Sequence, residues 1–123
     1  MICSGISAGT ERANLKALPN SKAGSRGGFP YNPGYSGVGV VTKSASAQVR
    51  VGDLVALRSK HQSVWAGKAE NLIKVPEGLD MEAAAFWFVG VIALQAVKRI
   101  DPRPQQTERR LRALVVGAVS SPG

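Results

Sequence analysis

The run AAAFWFVGVIAL, from Ala83 to Leu94, sets the hardest condition on the fold. A helix built from it has no polar side to turn to water, so it demands cover around most of its circumference. The run is far shorter than the roughly 18 residues a bilayer span requires, so the cover has to be protein. Its flanks read as helix ends: Asp80 is placed to cap the N-terminus, Glu82 sits in the first turn, and Lys98 and Arg99 suit the C-terminal end of the dipole. Pro102 and Pro104 close the segment. A buried linking helix over residues 80–101 is therefore expected, and a chain of 123 residues has little with which to bury it.

Upstream, short apolar runs alternate with turn residues. GVGVVTKSA, from Gly37, reads as a strand whose Gly37 and Gly39 permit close backbone approach. VRVGDLVALR places a Gly-Asp turn at 52 and 53 before a second strand starting near Leu54. HQSVWAG and NLIKVP are two further short β candidates, the latter ended by Pro76. Before these, GTERANLKALP reads as a short helix capped by Thr10 and stopped by Pro19. NSKAGSRGG, from Asn20 to Gly28, has loop composition and is the stretch expected to be disordered. LRALVVGAVSSPG at the end reads as a buried strand running into a glycine loop.

Hydrophobic residues at 44% and charged residues at 20% are ordinary for a globular chain, so folding is expected at least in part. Sixteen Lys and Arg against eight Asp and Glu leave a net charge of +8, enough to attract polyanions nonspecifically. The densest basic patch is ERRLR at 108–112. It carries no interleaved aromatics, and no zinc-finger, RNP-like or heptad pattern accompanies it, so nucleic acid is not the expected partner. One cysteine, Cys3, excludes an intramolecular disulfide and suits a reducing compartment, with cytoplasm the default. MICSGISAG has neither the basic region nor the apolar core of a signal peptide.

The order SGISAGTER, PGYSGVGVV, VGDLVAL, HQSVWAGKAENLIKVPEGL, EAAAFWFVGVIALQAV and LVVGAVSSPG resembles the medium-chain dehydrogenase/reductase family. Members of that family join a GroES-like domain to a Rossmann domain, and the similarity runs over nearly the whole chain. The resemblance implies an α+β fold, mainly β with α: an incomplete GroES-like barrel over residues 1–79, the linking helix over 80–101, and the first Rossmann strand with its glycine loop over 110–123.

Zinc-dependent members hold the metal with a Cys and a His followed by Glu. At the matching positions this chain has Ser7, Tyr35 and Ser36. Neutral hydroxyls replace the thiolate and imidazole that supply most zinc affinity, so no zinc is expected, as in the family's metal-independent branches. The resemblance then casts Ser7, Thr10 and Tyr35 as donors that polarise a substrate carbonyl, and His61 as a general acid or base. Plainer readings stand beside these: Tyr35 and Ser36 as turn residues, His61 as a strand-end histidine, and Glu11 paired with Arg12 or a distant arginine. Trp65 and Trp87 read as core or interface aromatics.

NAD(P) is the implied cofactor, with Gly117 and Gly123 as the remnant of its glycine loop. Val119 stands where the family has its second glycine, and its side chain would obstruct the diphosphate, so NAD(P) binding by this chain itself is not expected. The expectation is the substrate-side fragment of a zinc-independent oxidoreductase, not competent alone, acting on a small molecule once a missing partner domain is supplied. A non-catalytic association module, homo-oligomeric or with a partner, and a basic polyanion-binding protein are the alternatives.

Overall fold

The computed structural model describes residues 1–25 and 27–100. Four short strands form one antiparallel sheet in sequence order: β1 (Cys3–Ser4), β2 (Gly37–Val40), β3 (Leu54–Leu57) and β4 (Leu72–Lys74). Helices α1 (Ala8–Leu15) and α2 (Lys22–Ser25) lie between β1 and β2 in the chain, and α3 (Met81–Ala85) and α4 (Trp87–Ile100) follow β4. The architecture is α+β, as expected, but not mainly β: the strands are short and helix exceeds strand among the described residues, because the apolar segment after β4 is helical in both α3 and α4.

The period-2 alternation of the strands divides the apolar residues between two faces. Val38, paired with Ala56, faces α3 and packs against Ala84 and Ala85. Val55, paired with Gly39, faces the other way and joins Val41 and Val49 in a second cluster. Ser36 is almost fully buried and donates its hydroxyl to the Ala85 carbonyl at 2.5 Å, which ties the approach to β2 onto the end of α3. Between β2 and β3, Gly52 has φ +93° and the Asp53 carboxylate accepts from the Arg50 N–H at 2.8 Å, closing the anticipated Gly-Asp turn. On the second face an open groove of about 960 Å³ runs past Val41, Val55, Leu72 and the half-buried Trp65.

Four further expectations are corrected. The cap of α1 is Ser7, not Thr10: Ser7 is extended (φ −101°, ψ 109°) and its Oγ accepts from the Thr10 N–H at 3.4 Å, so the helix begins one turn earlier. The stretch after Asn20 is not a loop throughout, because it contains α2 with Ala23 wholly buried. HQSVWAG forms no strand; the His61 N–H is spent on the Pro33 carbonyl at 2.9 Å instead of a ladder. The apolar segment is not one buried helix either. It breaks at Phe86 into α3, whose Ala84 and Ala85 are buried, and α4, whose Val89, Val91, Ile92, Leu94 and Val97 are exposed. The small sheet face is filled by α3, and Trp87 and Phe88 at the start of α4 reach back, Trp87 donating its indole N–H to the Leu57 carbonyl at 3.4 Å and Phe88 packing on Tyr35. Residue 101 and the strand and glycine loop expected at 110–123, with Gly117 and Gly123, lie outside the described residues. Among the described residues no helix is long and apolar enough to cross a membrane.

Candidate functional site

Helix α1 has no apolar face, and Asn14 is its one buried residue. Polar side chains place it. The Asn14 amide donates to the Thr10 carbonyl at 2.9 Å and its carbonyl oxygen accepts from the Ala23 N–H at 3.0 Å, which clamps α2 against α1. Ser21, buried beside it, accepts from the Gly24 N–H at 3.0 Å and caps α2. With both ends of Asn14 satisfied, the clamp has one low-energy arrangement.

That clamp shapes a cleft of about 350 Å³ lined by Thr10, Asn20, Lys22, Tyr31 and Tyr35, among others. Two of the residues chosen from sequence, Thr10 and Tyr35, thus meet in one place although 25 positions separate them. Ser7 does not line the cleft. Its hydroxyl donates to Thr10 Oγ1 at 3.2 Å, so Thr10 is left with its own proton to give outward.

Behind the cleft, three residues remote in sequence form a hydrogen-bonded chain. His61 Nε2 lies 3.3 Å from Glu11 Oε1, and His61 Nδ1 lies 2.8 Å from Ser4 Oγ. The Glu11 carboxylate accepts from Nε2–H, and Nδ1 shares the second hydrogen bond with the Ser4 hydroxyl. Gly34 makes the arrangement possible, since at φ +100° it adopts the left-handed region and a Cβ there would sit 2.4 Å from the His61 nitrogen. His61 therefore fastens three elements together: its backbone holds Pro33, and its ring holds α1 through Glu11 and β1 through Ser4. The same contacts fix the separation between Thr10 on α1 and Tyr35 on the Gly34 turn. His61, Glu11 and Ser4 do not themselves line the cleft.

The expected pairing of Glu11 with an arginine is replaced by His61, a partner 50 residues away that no local pattern announces. Asn14, Lys22, Tyr31 and Ser4 were also missed from sequence. The one available signal was that His61 is the sole histidine. Tyr35 packs its other side on Phe88, with ring centres 5.7 Å apart, and Arg58 lies 4.6 Å over the Phe88 ring.

Cys3, the sole thiol, is held above its ordinary pKa by burial first and then by the carboxylates of Glu82 and Asp80. A protonated thiol is a poor metal ligand and a poor nucleophile. Among the described residues, no three His, Cys, Asp or Glu side chains are gathered as a metal-binding group. Set against known family models, curated proteins and solved structures, the chain matches none.

Proposed function

We propose that this chain supplies the substrate half of an NAD(P)-dependent oxidoreductase of the medium-chain dehydrogenase/reductase type, working without zinc on a small carbonyl compound or the corresponding alcohol. The observation that carries this reading is the convergence of Thr10 and Tyr35 on one cleft braced from behind by Glu11, His61 and Ser4. A substrate carbonyl seated there accepts from the Tyr35 phenol and from the proton that Ser7 leaves to Thr10. Both donors strengthen as the oxygen gains negative charge, which is the work a metal does elsewhere in such enzymes. The nicotinamide, when bound, supplies or receives the hydride. His61 acts as a positioning residue, since its ring and backbone hold the two donors at a set distance.

Ligand-observed NMR with small aldehydes and ketones tests the proposal on the purified chain. Saturable binding is expected, and Tyr35→Phe is expected to weaken it about three- to tenfold, the loss of one net hydrogen bond. No saturable binding across the panel, or affinities untouched by Tyr35→Phe, overturns the proposal. A second reading, a non-catalytic association module, is favoured by the bare apolar residues of α4. A stable monomer at high concentration in analytical ultracentrifugation would remove it.

A further inference from the structure

The cleft is chemically one-sided. Its polar lining is made of hydroxyls, phenols, amides and one charged group, the Lys22 ammonium, and it contains neither Asp nor Glu. Among the described residues no carboxylate lies within salt-bridge distance of Lys22. Lys22 does not owe its place to chance collapse, because it opens α2, and α2 is pinned to α1 by the Asn14 bond to the Ala23 N–H and capped by Ser21. Lys22 is exposed at the cleft and has no carboxylate partner among the described residues, so its ammonium stabilises an anion that enters and repels a cation.

Resting on the reading of the cleft as a substrate site, we propose that its substrate is a small oxo acid or hydroxy acid whose carboxylate is received by Lys22 while its carbonyl or hydroxyl oxygen meets Tyr35 and Thr10. A single ammonium acts as a point charge and matches a monoanion, whereas a phosphoryl group is usually met by several donors or by a guanidinium fork. The volume of about 350 Å³ stands at the small end of ligand pockets and suits such a compound.

Phenylglyoxylate and its neutral amide, which share the ketone and the ring, separate this proposal from the one beneath it. At low ionic strength the carboxylate is expected to bind about tenfold more tightly than the amide. Lys22→Gln is expected to erase that preference by weakening the carboxylate about tenfold more than the amide, and Lys22→Arg to retain most of it. Lys43→Gln, on the far groove, removes the same unit of net charge and is expected to leave the preference intact. Equal affinity for the two probes, insensitivity to Lys22→Gln, or equal losses in the Lys22 and Lys43 variants overturns the carboxylate assignment while the cleft stands as a carbonyl site. Absence of binding by either probe overturns both. A phosphate monoester of similar size that binds more tightly than phenylglyoxylate, and loses affinity in Lys22→Gln, also overturns the assignment to a carboxylate.

Discussion

Helices α1 and α4 are opposites in composition, and their positions are secured in the reverse order of what hydrophobicity alone predicts. The first is short and polar, yet beside its own cap its Asn14 clamp and its Glu11 bond to His61 give it definite partners on two other segments. The second is longer and far more apolar, yet beyond its first turn its side chains face outward among the described residues. Apolar burial is non-directional and needs a surface of matching size, which a four-stranded sheet of short strands offers to α3 and to Trp87 at the start of α4. A satisfied buried hydrogen bond needs one partner in one geometry, so a few of them can fix a small helix where area cannot.

That contrast can be broken most forcefully at Asn14. Asn14→Leu leaves the buried Ala23 N–H without its side-chain partner and removes the part-buried bond to the Thr10 carbonyl, so a loss of about 2–3 kcal/mol is expected in urea unfolding, together with loss of carbonyl binding in the cleft. A loss under about 0.5 kcal/mol would mean that the clamp does not place α1 and α2. At the other pole, Ile92→Glu on the exposed side of α4 is expected to change stability by no more than about 0.5 kcal/mol. A drop of several times that value would show that α4 is covered in solution and would remove the contrast between the two helices.

The smallest effect concerns the turn between β2 and β3. The Asp53 carboxyl is held below its ordinary pKa by the Arg50 N–H first and by Lys74 second, the latter at 2.7 Å. A carboxyl depressed in the folded state stabilises fully above the unfolded value of about 3.9 and loses that contribution as pH falls through the lower folded value. Unfolding midpoints of the parent chain and of Asp53→Asn are therefore expected to differ near neutrality and to converge as the pH drops below about 4. A constant gap across that range would show that the ionised carboxylate contributes nothing there.

Local features were legible in proportion to how local their causes are. The strand near Leu54, the Gly-Asp turn at 52 and 53 and the Asp80 cap rest on neighbours a few positions apart, and each stands where the pattern put it. Thr10 was read as the cap of α1 where the structure has Ser7, three residues earlier, since a hydroxyl in either place can accept a helix N–H. The candidate site was half legible: Thr10 and Tyr35 were named, but neither the cleft that joins them nor the Glu11 to His61 bond behind it could be read. A pairing across 50 residues leaves no periodicity and no spacing rule.

By itself, then, the order of residues determined the α+β character, the turn chemistry, the charge and the polar side chains available for a site, because those follow from backbone preference and composition. Only the tertiary structure decided which hydroxyls share a cleft, which residue faces the histidine, and which half of the apolar segment is covered. Those outcomes depend on how much surface the sheet presents and on where Gly34 lets two backbones touch, and neither quantity is local to any stretch of the chain.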